Sequence, residues 1–437
     1  MILRDTFSRI RYTAAYPSRR FPMFRIILLA TCCLAPVLFS RSASARDELR
    51  ADLDPLVELP GAYDLVPDDL ESLFEQGQWS RNPYFKWLRQ DKSRAIFQRK
   101  DLQNLGVELY LLDGAVPIEE MVVDFKDGKF LGVTVSIFNR GDGGQISSED
   151  FQERLRTVGK HLGEQLAIRP TRREASPTRG ILTSGWIWIS ARGKAVLDHN
   201  AVEDGQPVEF LRMRLARRDA GGAYEAATHR RPGASVTLSE LPRNVKRNDR
   251  GDVYVDGVPM VDQGAKGYCV VASVQRLFEY YGIACDMHQL AMIAGSDPEI
   301  GTNSLMMNRE LGTIDHLFKT RFECLALRHE SGLVELKDDK YVGDPVPGRD
   351  FHELIRDSID EGIPLLWGLE IGVFPEEPSI SLQASGGHMR MIIGYNDETD
   401  QVIFTDSWGA GHEFKTMDAN HAFRATTGLF LLKPIVR

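Results

Sequence analysis

The sequence predicts an α+β protein with two folded units in series. Three observations carry that expectation. Runs of β-branched and aromatic residues alternate with polar ones around an Asp-Gly turn in the first unit. A long helical repeat of apolar residues follows them. In the second unit a set of helices precedes a set of short apolar strands. The chain has 437 residues, 43% hydrophobic and 26% charged. That length supports more than one core, and the composition is that of a globular protein rather than a disordered or fibrous one. The net charge of −9 gives no footing for a nucleic-acid partner.

The N-terminus is basic. Residues 24–39 are apolar, and Ala43-Ser44-Ala45 precedes Arg46. Basic start, apolar core and small-residue exit make residues 1–45 an export signal, with Met23 an alternative start. Leu29-Ala30-Thr31-Cys32 is a weaker match to a lipidation site. The apolar run is short and holds Pro36, so no stable membrane span is expected. The chain is therefore expected to be secreted or periplasmic.

Residues 46–218 read as an N-terminal α+β domain. Residues 68–87 are aromatic-rich and partly helical. Strands at 121–125 and 131–138 flank Asp127-Gly128, a hairpin signal. Ser148 is the expected N-cap of a helix whose apolar face is Phe151, Leu155, Val158, Leu162 and Leu166. Strands follow at 181–190 and 208–215. Residues 139–144, rich in glycine and Asp/Asn, read as a turn. No chemistry is legible here: His161 and His199 are isolated. A blocking pro-region, a substrate recruiter and a scaffold are all open roles. Residues 219–250, with Gly221-Gly222 and a polar basic run, read as a linker.

Residues 251–437 form the second unit. A strand is expected at 253–258 and a helix at 269–281, closed by Gly282. Asp286 and Gln289 make a capping box for a helix through Ile293. Residues 303–319 have helical character, and an amphipathic helix at 351–361 stops at Gly362. Strands are expected at 364–371, 388–395, 401–406 and 428–432.

Four residues in this unit assemble a nucleophilic acyl-transfer set. Cys269 opens a helix, where unpaired N–H groups and the helix dipole favour a thiolate. Gln263 precedes it by six positions and offers an amide donor to an oxyanion. His388 follows Gly386-Gly387 and can take and return a proton. Asp406, at the end of a neighbouring strand, can orient that imidazole, and Trp408 can shield the pair from water. Taken singly, a buried structural Cys, a strand-end His and an Asp-Ser-Trp-Gly turn are ordinary features. Their joint occurrence is not.

The order Gln263, Cys269, His388, Asp406, with Asp406-Ser407-Trp408-Gly409, resembles the papain-like cysteine peptidases. Asp in place of Asn, and Asp262-Gln263-Gly264 ahead of the Cys, are similar to that superfamily's double-glycine, bacteriocin-processing branch. The resemblance covers 251–437 and implies a helix layer packed on an antiparallel sheet, peptide-bond hydrolysis, and those four residues as catalytic. Val270 stands where papain has Trp, and no transporter segment follows, so the branch's leader specificity is not implied. The implied partner is a peptide or protein substrate. Other acyl transfers on the same site, transglutaminase-like or amidase, are an alternative, as is an inactive papain-like binding module.

No metal or other cofactor is expected. Cys285 and His288 form a single pair, where a structural zinc needs four ligands, and His316, His329, His352, His412 and His421 lie outside any metal spacing. Cys269, Cys285 and Cys324 remain after export. Either Cys285 and Cys324 bridge with Cys269 free, or all three are unpaired. Oligomeric state is not legible.

Overall fold

The computed structural model describes residues 50–74, 85–99, 107–175, 183–200, 208–229, 233–264, 267–294, 312, 315–330, 332–337, 340–342, 345–379 and 385–436. The expected export signal and most of 303–319 lie outside them. Among the described residues two antiparallel sheets dominate.

The first sheet has the strand order Lys86–Trp87, Arg94–Gln98, Glu120–Lys126, Lys129–Asn139, Phe210–Ala216, Gly193–Asn200, Thr183–Ser190, Thr171–Arg173. Asp127 and Gly128, both at positive φ (53° and 71°), turn the predicted hairpin as a primed turn requires. The helix Ser148–Leu166 lays its five predicted apolar residues, all buried, on this sheet. Its N-cap is Ser147, which accepts from the Asp150 N–H at 3.0 Å, one residue ahead of the predicted cap. Residues 139–144 close into a one-turn helix, Arg140–Gly143, capped by Asn139, rather than a simple turn. The strand Gly193–Asn200 has no counterpart in the sequence reading. The stretch 219–250 carries Ala223–Ala226, a 3-10 helix Leu238–Asn244 and the strand Val245–Arg247, which pairs into the second sheet.

The second sheet runs Val245–Arg247, Val253–Val255, Gly386–Asn396, Leu365–Ile371, Thr426–Pro434, Thr320–His329, Gly332–Lys337, Lys340–Val342. Gln401–Thr405 and Lys415–Asp418 branch from Gly386–Asn396. The ten-residue strand Thr320–His329 was not foreseen. The helix Cys269–Tyr280 is buried on almost every side against this sheet. Gly282, at φ 72°, ends it as predicted. Asp286 and Gln289 exchange side-chain and backbone hydrogen bonds at 3.2 and 3.1 Å, and so cap Met287–Ala294. Gly348–Asp360 buries Phe351, Ile355 and Ile359. Each sheet has its own apolar core.

Ions join the two cores. Arg94 of the first sheet donates to Glu279 of the Cys269 helix at 2.8 Å. Arg212 holds Asp198 through two hydrogen bonds, at 3.1 and 2.9 Å, and also reaches Asp286 at the head of the next helix. All of these side chains are buried or nearly so. Buried charges persist in a fold only when paired, so Glu279 and Asp286 of the second half depend on cations of the first sheet. Cys269, Cys285 and Cys324 are all unpaired thiols. Burial pushes the Cys285 and Cys324 thiols up to about 12, which keeps both inert near neutrality.

Candidate active site

The four residues singled out in the sequence converge where the Cys269 helix meets the strand Gly386–Asn396. Cys269 is the first residue of its helix. Its N-cap, Tyr268, makes no side-chain cap, and the first turn holds no acid. The Met389 and Val270 N–H groups donate to the sulfur. Ser273, one turn on, donates to the Met389 carbonyl at 3.5 Å and ties the helix to the His388 strand.

His388 stands between the thiol and a carboxylate. Its Nε2 meets Asp406 Oδ1 at 2.7 Å. The ring also interacts with the Cys269 thiol, by hydrogen bond and charge. Asp406 reaches this position because Gln401–Thr405 pairs with the His388 strand, Thr405 opposite Met391. Arg276 of the Cys269 helix donates to the Asp406 carbonyl at 2.9 Å and to Thr405 Oγ1 at 2.7 Å. Helix, His strand and Asp strand are thus locked together. Trp408 stacks on His388, centroids 4.7 Å apart, and covers the Asp–His pair.

Gln263 is buried beside this group. Its backbone N–H donates to the Ser407 carbonyl at 3.0 Å, and Ser407 Oγ donates to its Oε1 at 2.7 Å. The carboxamide is thereby fixed, with its oxygen on Ser407 and its N–H₂ donor on the opposite side. Gly264, at φ 68°, turns the chain after it, and its N–H returns to Asp262 Oδ1 at 2.7 Å.

The electrostatics favour an ion pair. Burial pushes the Cys269 thiol up, but the hydrogen bond and charge of His388 outweigh it and bring the thiol below its ordinary value. Burial alone would lower His388. The charge and hydrogen bond of Asp406, with Cys269, raise it instead, to about 9. Burial opposes ionisation of Asp406 too, but His388, Arg390 and the Ser407 N–H hold its carboxyl far below the carboxylate range.

Sequence reasoning missed Arg390. It is fully buried, with Nε on Asp406 Oδ2 at 2.7 Å and Nη1 and Nη2 on Glu376 at 2.5 and 3.1 Å. Lys415 completes the chain of charges on Glu376 at 2.7 Å. The signal was an arginine inside an apolar strand two residues after His388, a spacing that puts both side chains on one face. Among the described residues no group of His, Cys, Asp and Glu has metal-site geometry.

Residues 255–427 match the model of the Peptidase_C39 like family. A search of solved structures found xylellain, a cysteine protease from Xylella fastidiosa, at 12% identity and a TM-score of 0.26, over 47% of this chain and 92% of that one. No curated protein matches the chain. Among the described residues no helix is long and apolar enough to cross a membrane.

Proposed function

We propose, from the premise that residues 255–427 are a papain-like cysteine-peptidase segment of the Peptidase_C39 like family, that this chain hydrolyses peptide bonds through Cys269, His388 and Asp406. The observation that carries the reading is the placement of His388, whose Nε2 meets Asp406 at 2.7 Å while its ring acts on the Cys269 thiol and holds it below its ordinary value. The Cys269 thiolate attacks the scissile carbonyl carbon. The oxyanion that forms is received by the Gln263 Nε2 donor and the Cys269 backbone N–H. His388, protonated on Nδ1, delivers that proton to the leaving amine as the C–N bond breaks. A thioester remains. His388, now neutral, takes a proton from water, whose oxygen attacks the thioester, and the thiolate leaves to regenerate the pair. Asp406 keeps the imidazole oriented throughout and stabilises its cation.

The substrate in this reading is a peptide or protein. Export rests on residues 1–45, and the partition into 46–218, a linker at 219–250 and 251–437 completes the proposed organisation. The test is iodoacetamide alkylation of the full chain across pH, with peptide turnover beside it. Cys269 should label faster than a free cysteine below pH 8, because its thiolate survives where an ordinary thiol is protonated. Labelling enhancement and turnover should both vanish in Cys269→Ala. Ordinary labelling with no turnover would identify an inactive binding fold. Amine incorporation into a glutamine peptide, in place of hydrolysis, would identify a transferase.

A further inference from the structure

We infer that the first sheet holds the oxyanion side of the site in place, with Lys86 as a positioning residue that acts on Gln263 through Asp262; the inference rests on the peptidase reading above. Lys86 lies on the edge strand Lys86–Trp87 of the first sheet, remote in sequence from the site. Its Nζ pairs with Asp262 Oδ2 at 2.8 Å. The Asp262 side chain is 5% exposed and that of Lys86 33%, so the pair is anchored on a buried carboxylate. The other Asp262 oxygen receives the Gly264 N–H. One carboxylate thus bridges the residue after Gln263 to a cation from the other half of the chain.

Residues around Lys86 follow the same path. Leu88, fully buried, packs with Ile96 of its own sheet and with Met260, just upstream of Gln263. Leu88 and Asp262 both border Gly409, where an added Cβ would lie 3.5 and 3.4 Å from them. The Gln90 N–H donates at 3.0 Å to Glu413, which also receives the Gly411 N–H at 2.6 Å. Residues 86–90 therefore brace two loops, 262–264 and 409–413. Their neighbours are Gln263 and Ser407, the two ends of the bond that sets the carboxamide.

The physical consequence concerns one step. A buried carboxylate that loses its cation must find water or protonate, and either displaces the turn it organises. Gln263 would then miss the oxyanion, which exists only in the transition state. The Cys269–His388 pair is set by Asp406 and the start of its helix, and would keep its ionisation. The defect should fall on kcat and leave KM and the thiolate unchanged.

The test compares wild type, Lys86→Met, Lys86→Arg and Asp262→Asn in the full chain, with Lys129→Met, an exposed lysine of the same sheet, as control. Lys86→Met and Asp262→Asn should each lower kcat by about ten- to a hundredfold, part of what removal of a whole oxyanion donor costs. Their KM should stay within about twofold, and the pH profile of Cys269 alkylation should not move. Lys86→Arg should recover most of the rate, and Lys129→Met should match wild type. Wild-type kcat in Lys86→Met, a loss confined to KM, or a shifted alkylation profile would overturn the inference. If Lys86→Met does not fold, Asp262→Asn decides by the same criteria. A wild type without Cys269-dependent turnover would bring down the peptidase reading and this inference with it. A wild type with such turnover beside an unimpaired Lys86→Met would bring down this inference alone.

Discussion

Asp406 serves two cations at once, and this sets the tuning of the site. Its Oδ1 holds His388 and its Oδ2 holds Arg390, each at 2.7 Å. Arg390 draws part of the carboxylate's field and repels a proton on the ring beside it. Glu376 and Lys415 keep the whole cluster near charge balance. Arg390→Met should therefore have two effects. Removing one member of a buried ion network leaves its partners uncompensated and costs about 3–5 kcal/mol, which thermal unfolding will register. In the folded fraction, Asp406 would act on His388 alone. The imidazolium would then persist above its present value of about 9, and the basic limb of the pH–rate profile should move to higher pH. A basic limb that stays in place would show that Arg390 braces the fold without tuning the base.

At the scale of elements, the sequence was legible wherever apolar periodicity or a turn signal coincided with burial. The helix Ser148–Leu166, the hairpin at Asp127-Gly128 and the glycine stop at Gly282 are of that kind. Cys269, His388, Asp406 and Gln263 were legible because their residue types and order are rare together. The strand Gly193–Asn200 escaped because its buried positions include ions: Lys194 and Asp198 are both 2% exposed. A pattern that scores apolar residues reads such a strand as a loop. Thr320–His329 escaped because Arg321, Glu323 and Arg328 interrupt its apolar run. Arg390 escaped for the same reason in reverse, as a single charge in a strand that otherwise scores as core. The glycine-rich stretch 139–144 was read as an isolated turn, yet it touches the site. A Cβ at Gly141 would lie 2.7 Å from the Tyr268 hydroxyl, and Tyr268 is the N-cap of the Cys269 helix. Gly141→Ala should push that tyrosine aside and tilt the start of the helix. The expected result is a kcat reduced about two- to tenfold, since small misplacements of a nucleophile are costly, with a melting temperature close to wild type. Unchanged turnover would mean the tyrosine ring moves without carrying Cys269.

At the scale of the molecule, the question is whether the two sheets fold as one. Each has its own apolar core, which by itself would permit independent domains. The ions between them argue for coupling. Arg212, from the first sheet, satisfies Asp198 beside it and reaches Asp286 in the second half, where Asp286 also caps the helix Met287–Ala294. Arg94 does the same for Asp124 and Glu279. Separation would strand the buried acids Asp286 and Glu279 of the second half and leave surplus arginine charge on the first, so neither half reaches its full stability alone. Unfolding of the wild type should then be a single transition, with the same midpoint from tryptophan fluorescence and far-UV circular dichroism. Arg212→Met tests the coupling directly. It removes one cation from between two buried acids and should cost about 3–5 kcal/mol. The mechanism predicts more than a loss of stability: with the tie weakened, the second half should open at lower denaturant than the first, and the two probes should part. A mutant that melts earlier but with coincident probes would place the coupling in the apolar contact around Leu88 and Met260 instead. Two separate transitions already present in the wild type would mean that the halves are joined without being energetically coupled, and the positioning role of Lys86 would have to survive without that support.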